Sequence, residues 1–541
     1  MNRYPNHAHP SPLNIQSLLL RPRYWSPEQR IHYRDDYSHT YAEFFKRVAQ
    51  LANLLHRLGV KRGDAIGVLD WDSHRYFELF FAVPMCGAVL HTVNIRLSPE
   101  QILYTINHAE DVVLFVHDDF RAQVDKMCSS LTSVRSIVRL CDPGAEPPAD
   151  SYEPRLAAEP ATYDFPDLDE NTVATTFYTT GTTGDPKGVF FTHRQLMLHT
   201  LGVGLGLAAF GDPFSFRQDD VYMPLTPMFH VHSWGMPYIA TLLGVKQVYP
   251  GRYEPERLLR LLLEHRVTVT HGVPTLLHMV VTQATNAGVR LNGLKMLVAG
   301  SALSRGLCER ARERGIIATT AYGMSETCPL LTVSHLKPAQ AGASDEERLG
   351  LFTVTGFPLP LIETRILDEK GAALPPGPDH VGELVVRGPW LTAGYARNEE
   401  RSRELWRGGW LHTGDVAYRD EAGYVHLTDR LKDVIKSGGE WVSSLELENL
   451  LSQHASVNEV AVVGTKDERW GERPVAFVVL RPGVAAEIAG AALRDHLRIF
   501  VSKGVLQRWA VPDEIRFVTE LPKTSVGKLN KRALRATLTT T

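Results

Sequence analysis

The sequence lacks an excess of charge of either sign. Its 541 residues include 58 Lys and Arg against 61 Asp and Glu, a formal net charge of −3 at pH 7. A protein that binds nucleic acid over a broad surface needs a large basic excess, so we expect no nucleic-acid partner. Apolar residues make up 44% and charged residues 22%, close to the globular average, which predicts a folded chain.

Cysteine is also scarce, with five residues at positions 86, 128, 141, 308 and 328. They form neither a Cys-x-x-Cys pair nor a Cys/His spacing typical of zinc, and this favours a reduced compartment. The first ten residues are polar and contain proline, and no apolar run of a signal peptide follows. The longest apolar run, residues 79–90, is too short to span a bilayer. We therefore expect a cytoplasmic protein, and a weak peripheral contact with a membrane stays open.

The length exceeds what one hydrophobic core fills, so the chain should contain several subdomains. A capping box from Thr40 to Glu43 predicts the start of a helix. Helix-then-strand patterns recur over 255–270 and 304–319, which predicts an α/β architecture with parallel strands. Short β-like runs over 362–430 predict an antiparallel sheet. A compact α+β pattern follows, so we place a domain boundary at residue 430.

The richest local signal is the segment 178–188, which alternates glycine, hydroxyl residues and one lysine, Lys187. Glycine lets backbone N–H groups approach phosphate oxygens closely, and hydroxyls and lysine add donors and charge. Strand-like flanks and a capping box from Thr192 to Gln195 place the segment between two strands. A Walker A loop needs Gly-Lys-Ser/Thr entering a helix, whereas Pro186 and Gly188 flank the lysine here. The pattern favours a phosphate-binding loop of another kind over a plain flexible turn.

A second glycine cluster, 204–209, formally fits the G-x-G-x-x-A pattern of dinucleotide-binding folds. It follows a predicted helix rather than a strand, which excludes that interpretation. We expect loop and core packing there.

The segment 178–188 resembles the signature loop of the adenylate-forming superfamily of acyl-CoA synthetases, adenylation domains and luciferases. Further segments resemble motifs of that superfamily in the same order, from residue 40 to 535: 227–230, 321–327, 355–358, 413–415, 429–433 and 522–528. The stretch 435–444 and the motif around His230 and Trp234 resemble the medium- and long-chain fatty acid–CoA ligases most. The resemblance implies an α/β multi-subdomain fold. It would have an N-terminal body (1–430) of two α/β sheets plus a β subdomain, and a small mobile α+β C-terminal domain (431–541).

The reaction implied by this resemblance has two steps. A fatty acid carboxylate attacks the α-phosphate of ATP to give acyl-AMP and pyrophosphate, and the thiol of coenzyme A then displaces AMP. Mg²⁺ is the implied cofactor, and ATP and coenzyme A are co-substrates. Two alternatives stay open: a CoA ligase for an aromatic or other carboxylate, and a nucleotide-binding regulator that has lost catalysis. A homodimer also stays open.

The resemblance carries over the following roles to matching positions. Lys528, Glu326 and Lys187 would be catalytic, and Thr179 and Glu326 would bind the metal. The ATP and AMP site would comprise Thr179, Thr180, Gly181, Thr182, Thr183, Gly184, Gly300, Ser301, Ala302, Ala321, Tyr322, Gly323, Ser325, Asp415, Arg430, Lys432, Lys436 and Trp441. Asp415 and Arg430 are expected at the ribose, Tyr322 against the adenine and Lys432 at the hinge between domains.

The acyl pocket is expected at His230, Trp234 and Gly323, and the path of coenzyme A at Gly438 and Gly439. Acetate-activating relatives carry a Trp at the position of Gly323 that closes the pocket. The absence of a side chain here predicts a tunnel for a longer acid.

Two charged features qualify the site. Asp185 places a negative charge in the phosphate-binding loop, which costs little only if its side chain points outward. Residues 522–535 hold five basic residues and no acid. Lys528 is assigned to catalysis, and we expect Lys531, Arg532 and Arg535 to form a solvated basic tail.

Overall fold

The computed structural model describes residues 10–144, 147–179, 185–209, 214–431, 433–437, 440–524 and 527–538, and at 440, 441, 487 and 488 it describes the backbone. The helices in these ranges are α1 (Leu20–Trp25), α2 (Tyr41–Arg57), α3 (His74–Met85), α4 (Pro99–Ala109), α5 (Asp118–Met127), α6 (Tyr152–Ala157), α7 (His193–Ala209), α8 (Val231–Trp234), α9 (Met236–Leu243), α10 (Pro255–Glu264), α11 (Pro274–Asn286), α12 (Arg305–Glu313), α13 (Asp345–Phe352), α14 (Glu399–Leu405), α15 (Ser444–Ser452), α16 (Ala486–Ser502) and α17 (Lys531–Leu538). None of these helices has the length and apolar character needed to cross a bilayer.

The strands in the same ranges are β1 (Arg30–Tyr33), β2 (Tyr37–Thr40), β3 (Ala65–Leu69), β4 (Val89–Thr92), β5 (Asp111–His117), β6 (Ser136–Leu140), β7 (Val173–Thr179), β8 (Lys187–Thr192), β9 (Val221–Tyr222), β10 (Lys246–Tyr249), β11 (Val269–Gly272), β12 (Lys295–Val298), β13 (Ile317–Gly323), β14 (Leu330–Val333), β15 (Phe357–Pro358), β16 (Glu363–Leu367), β17 (Gly382–Arg387), β18 (Leu411–Arg419), β19 (Val425–Arg430), β20 (Ile435–Ser437), β21 (Glu440–Val442), β22 (Val457–Asp467), β23 (Gly471–Leu480) and β24 (Glu514–Phe517).

Two mostly parallel sheets form the N-terminal body. One has six strands in the order β6-β5-β3-β4-β7-β8, with only β7 and β8 antiparallel. The other has nine strands in the order β15-β14-β13-β12-β11-β9-β10-β1-β2, and its central strands are parallel. Parallel sheets need both faces covered. One apolar core links the two sheets, and a second apolar cluster packs α10, α11 and α12 against the nine-stranded sheet. The predicted α/β architecture of the body is confirmed.

Residues 363–430 form a separate antiparallel sheet in the order β16-β17-β18-β19. Each strand pairs with the next along the chain, as the short β-like runs separated by turn residues predict. This sheet is the expected β subdomain. Its last two strands carry Asp415 and Arg430, which pair directly in register.

The C-terminal domain is a five-stranded sheet flanked by helices. Strands β21, β20, β23 and β22 follow one another, and β24 joins β23 in parallel. Apolar residues form one cluster with α15 and α16 on one face, and a smaller cluster with α17 on the other. The predicted α+β pattern is confirmed, whereas the boundary at residue 430 stays a prediction.

Local sequence signals set where several helices begin. At the start of α2, the backbone N–H of Glu43 donates to Thr40 Oγ1, and that of Thr40 donates to Glu43 Oε2. The same reciprocal pair joins Thr192 and Gln195 before α7. Both capping boxes are as predicted, because each satisfies backbone donors that a helix start leaves unpaired.

The expectation of a loop at 204–209 is wrong, because these residues continue α7. The helix tolerates its glycines because they permit close packing. An ideal Cβ at Gly202, two residues before this segment, would lie 2.6 Å from Cζ3 of the fully buried Trp390. Tertiary packing therefore outweighs the low helix propensity of glycine here.

The expectation of a solvated basic tail is wrong for Lys531 and Arg535. Lys531 Nζ lies 2.7 Å from Glu448 Oε1 and donates to Ser444 Oγ, with both charged side chains nearly buried. Arg535 Nη2 lies 2.6 Å from Asp433 Oδ1. These two cations therefore fasten α17 to the rest of the C-terminal domain.

Candidate active site

A small, partly open cavity lies where the C-terminal domain meets the body. Its walls come from strand ends and connecting segments of the body and from one lysine of the C-terminal domain. The lining residues are His230, Val231, Trp234, Ala299, Gly300, Gly323, Met324, Ser325, Pro329, Leu330 and Lys528. Sequence reasoning predicted six of them: His230, Trp234, Gly300, Gly323, Ser325 and Lys528.

Lys528 reaches the cavity from a loop of the C-terminal domain. The hydroxyl of Thr275 in α11 donates to the carbonyl of Gly527 at 3.1 Å, which holds that loop against the body. An ideal Cβ at Gly300 would lie 3.0 Å from Lys528 Cε, and the φ of Gly300 is +87°. Glycine is therefore needed at 300 both for its backbone and for the lysine beside it. Burial and the Arg430 guanidinium lower the pKa of Lys528 to about 8.

Asp415, Tyr322 and Arg430 come together as predicted. The Tyr322 hydroxyl donates to Asp415 Oδ2 at 2.7 Å, and Arg430 Nε lies 3.2 Å from Asp415 Oδ1. Asp415 is buried, so these two donors fix the orientation of its carboxylate. Burial and the Asp415 charge hold the pKa of Tyr322 well above its usual value. The residues of β13, β18 and β19 that are predicted to bind the nucleotide thus form one connected polar cluster.

Other predicted nucleotide residues follow neighbouring strand ends. Ala321 is buried within β13, and Gly300, Ser301 and Ala302 follow β12. Because β12 and β13 are parallel neighbours, their carboxyl ends open at the same edge of the sheet.

Glu326 and Lys187 both contact Tyr395, a residue that the sequence did not indicate. The Tyr395 hydroxyl donates to Glu326 Oε1 at 2.7 Å, and Lys187 Nζ lies 4.7 Å from the centre of the Tyr395 ring. Tyr395 is 69 residues from Glu326, and no local pattern connects the two. The contact of Tyr395 with Glu326, a predicted metal ligand, therefore could not be predicted from the sequence and is seen only in the folded structure.

The donor set suits Mg²⁺. Glu326 Oε2 has no hydrogen-bond partner within the described chain, and Thr179 ends β7 directly opposite Lys187 of β8. Carboxylate and hydroxyl oxygens are hard ligands, and Mg²⁺ usually takes one or two protein groups plus substrate phosphates. In the same ranges no three His, Cys, Asp or Glu side chains lie close enough together to hold a metal.

At the acyl end, the backbone forms a left-handed turn. Residues 231–234 have φ values from 48° to 59°, and Gly235 follows at 69°. Such values strain residues other than glycine and persist only where the surroundings hold them. Trp234 is buried at the end of this turn, with its ring 5.1 Å from that of His271. The indole therefore closes this side of the cavity in the present conformation.

His230 lies at the start of the same turn. Burial and the neighbouring cations Lys528 and Arg96 lower its pKa to about 3. The imidazole is therefore neutral at physiological pH and adds no charge beside a bound carboxylate.

Gly323 lines the cavity through its backbone, and the tunnel expected from its missing side chain stays a prediction. An ideal Cβ at this position would lie 1.8 Å from the carbonyl oxygen of Pro329. The strand β13 bulges here against β14, and only glycine permits that approach. The missing side chain therefore allows the close backbone packing of β13 against the segment at Pro329.

The remaining predicted residues divide into two groups. Thr180, Gly181, Thr182, Thr183, Gly184, Lys432, Gly438 and Gly439 lie outside the described residues, as does the side chain of Trp441. Lys436 is exposed on β20, and its backbone N–H donates to Glu472. Asp185 is exposed to solvent.

The two α/β sheets, the antiparallel subdomain and the lysine-bearing C-terminal domain together define the class of adenylate-forming enzymes. The family model "AMP-binding enzyme" matches residues 24–396, and "AMP-binding enzyme C-terminal domain" matches 446–528. The chain belongs to the AMP-binding enzyme family.

Named relatives extend over almost the whole chain. It is 40% identical to the long-chain-fatty-acid–CoA ligase of Thermus thermophilus, covering 99% of this chain and 97% of that protein. It is 36% identical to the 3-methylmercaptopropionyl-CoA ligase of Ruegeria pomeroyi, covering 90% and 89%. The crystal structure of the anthranilate CoA ligase AuaEII with anthranoyl-AMP superposes with a TM-score of 0.86 at 24% identity, covering 98% of both chains, and this likeness shows the fold.

Proposed function

We propose that this protein is an ATP-dependent fatty acid–CoA ligase that activates a medium- or long-chain acid as acyl-AMP and transfers the acyl group to coenzyme A. The observation that carries the proposal is the position of Lys528. It lies in one cavity with the acyl-side residues His230 and Trp234. The charges of Asp415 and Glu326 both act on the same lysine. The 40% identity to the Thermus thermophilus enzyme supports the choice of acid.

In the first step an oxygen of the substrate carboxylate attacks the α-phosphorus of ATP, and the bond to pyrophosphate breaks. Two anions approach each other, so cations must offset the developing charge. Lys528 would bridge the substrate carboxylate and the α-phosphate, and Lys187 would approach the departing pyrophosphate. His230 stays neutral, so Lys528 rather than the imidazole would offset the charge of the attacking oxygen.

Glu326 and Thr179 would hold Mg²⁺, which when bound offsets the charge of the ATP phosphates. Asp415 would accept hydrogen bonds from the ribose hydroxyls, and it is already oriented by Tyr322 and Arg430. Gly300, Ser301 and Ala302 would line one side of the adenine, with Tyr322 on the other.

In the second step the thiol sulfur attacks the acyl carbonyl carbon, AMP leaves and the thiol proton passes to solvent. Lys528 would occupy the space beside this carbon, so it would have to withdraw before the thiol could enter. We expect rotation of the C-terminal domain at Lys432. Gly438 and Gly439 would then line the pantetheine path, and Lys436 and Trp441 would serve the nucleotide side.

We further propose a cytoplasmic location and no nucleic-acid partner, from the composition and the balanced charge. A homodimer and weak contact with a membrane surface stay open predictions.

A panel of acids tests the proposed function. Purified enzyme is given ATP, Mg²⁺ and coenzyme A with straight-chain acids from C6 to C18, short thioether acids and aryl acids, and release of AMP and pyrophosphate is measured. Acyl-CoA from the straight-chain acids is the expected result. Turnover only with a thioether acid or an aryl acid would favour the alternative, a CoA ligase for an aromatic or other carboxylate. The 36% identity to the Ruegeria pomeroyi ligase supports the thioether acids within that alternative. Turnover with none would overturn the assignment.

A further inference from the structure

We propose that Tyr395 is a positioning residue for the adenylation step, which holds Glu326 by its hydroxyl and Lys187 by its ring and keeps these opposite charges apart. The proposal rests on the roles of Glu326 and Lys187 under the proposed function. It assigns a task to a residue that the motifs left without one.

The first observation is that both contacts come from one side chain. The hydroxyl donates to Glu326 Oε1 at 2.7 Å, and the ring face lies 4.7 Å from Lys187 Nζ. A hydroxyl that donates to a carboxylate oxygen limits its rotation, so the other oxygen keeps a defined direction. An ammonium over an aromatic face is attracted by the ring and cannot at the same time reach past it.

The second observation is that the backbone around Tyr395 is fastened to both partners. The N–H of Thr392 donates to the carbonyl of Glu326 at 2.9 Å. The N–H of Ala396 donates to the carbonyl of Gly188, next to Lys187, at 2.8 Å. The segment 392–396 therefore bridges the strand that carries the lysine and the turn that carries the carboxylate. The backbone on either side of Tyr395 is thus hydrogen-bonded to Glu326 and to Gly188, next to Lys187.

The third observation is what the ring prevents. Within the described chain, Glu326 and Lys187 form no ion pair with each other, although both contact Tyr395. If the ring were absent, a flexible lysine could close on the carboxylate. In such a pair the Glu326 carboxylate would be less available to the metal, and the Lys187 ammonium would be less available to the phosphates. The ring therefore keeps both charges available for their ligands.

The test compares Tyr395→Phe, which removes only the hydroxyl, with Tyr395→Leu, which removes the hydroxyl and the ring. Two readouts are used: the Mg²⁺ concentration that half-saturates acyl-AMP formation, and equilibrium binding of the non-reacting analogue α,β-methylene-ATP with Mg²⁺. Tyr41→Phe is the matched control. The buried Tyr41 hydroxyl donates to the carbonyl of Val245 at 2.9 Å, and Tyr41 does not line the cavity.

For Tyr395→Phe we expect about a tenfold rise in half-saturating Mg²⁺ and a matching loss of analogue binding, because a hydrogen bond to a charged group is lost. Tyr395→Leu should lose about a further tenfold and also raise the KM for ATP, as Lys187 turns to Glu326. In a Glu326→Gln background, Tyr395→Phe should add almost nothing, since the two act through one contact. Tyr41→Phe should leave both readouts unchanged.

The outcomes separate the two proposals. If Tyr395→Phe lowers turnover or thermal stability but leaves Mg²⁺ dependence and analogue binding at the level of Tyr41→Phe, the positioning role is overturned. If the effects of Tyr395→Phe and Glu326→Gln simply add, it is overturned as well. If the wild-type enzyme forms no acyl-CoA, the proposed function fails, while analogue binding still decides the role of Tyr395.

Discussion

The body and the C-terminal domain bring their functional groups to the cavity in different ways. In the body, Asp415 and Tyr322 lie on strands of two sheets and hydrogen-bond each other. In the C-terminal domain, Lys528 stands on a loop, and the domain contacts the body through bonds such as Thr275 to Gly527 and His278 to Asn458. The body thus holds groups that serve throughout, whereas the C-terminal domain presents a group that a two-step reaction must also remove.

The largest expected effect comes from removing the Lys528 side chain, the group that the C-terminal domain brings to the cavity. Lys528→Ala should lower acid-dependent formation of acyl-AMP by about a hundredfold or more, because a charge aimed at the transition state is lost. Conversion of preformed acyl-AMP and coenzyme A to acyl-CoA should change little, because the lysine is absent from that step. Rapid-quench measurement of both half-reactions checks this.

The control for Lys528 is Lys523→Ala, on the same loop region but paired with Glu459 outside the cavity. It should leave both half-reactions intact. Equal losses in both half-reactions for Lys528→Ala would contradict a role confined to adenylation.

The next effect concerns how the C-terminal domain holds itself together. Lys531→Ala leaves Glu448 buried without its partner, which should cost about 3 kcal/mol of the domain's stability. Native-state hydrogen exchange of amides in β22 and β23 measures this without requiring the whole chain to unfold in one step.

Lys523→Ala serves as the matched ion-pair control, because the Lys523–Glu459 pair is more exposed and should contribute less than about 1 kcal/mol. A similar small loss in both variants would mean that the Lys531–Glu448 pair contributes little to holding α17.

The pH dependence sharpens the comparison further. Lys528 must be charged to act, and its lowered pKa of about 8 means that adenylation should fall as pH rises through that value. From about pH 7 to pH 9 we expect roughly a tenfold loss of this half-reaction. The thioester-forming step should not fall over the same range, because a thiolate becomes more abundant. A Lys528→Arg variant stays charged, so any activity it retains should show no such fall.

How far the sequence predicts this molecule depends on the distance between partners. Capping boxes at Thr40 and Thr192 and the strands around the loop 178–188 are local patterns, and the structure has them where expected. The contact of Tyr395 with Glu326 spans 69 residues, and the pairing of Lys531 with Glu448 joins two faces of one sheet. The spacing of residues along the sequence does not predict contacts between side chains that are this far apart in the chain.

Glycine marks the same limit in a second way. Its presence at 204 indicated a loop, because sequence records only a missing side chain. What fills the space is a property of the fold: α7 continues through Gly204, and the backbone of Pro329 fills the place of a side chain at Gly323. Roles of glycines need the neighbouring element to be known.

The smallest expected effect tests the contact surface between the two regions. Gly306 lies in α12 of the body, and an ideal Cβ there would lie 2.5 Å from the backbone carbonyl oxygen of Ser452 in α15. A backbone atom cannot turn aside as a flexible side chain can, so Gly306→Ala should push the C-terminal domain outward. Alanine favours a helix by about 0.5–1 kcal/mol over glycine, so the body itself should not weaken.

Gly306→Ala should therefore lower adenylation about threefold to tenfold, a cost of about 1 kcal/mol on the docked arrangement, and spare the thioester-forming step. Gly350→Ala in α13 is the control, because it makes the same change in a helix with nothing within 4 Å. If both variants behave alike, the docking seen here is not the arrangement in which acyl-AMP forms. If only Gly306→Ala separates the two half-reactions, a single methyl group on the body will have weakened the docking of Lys528. The functional groups of the body, such as Asp415, will then have kept their positions.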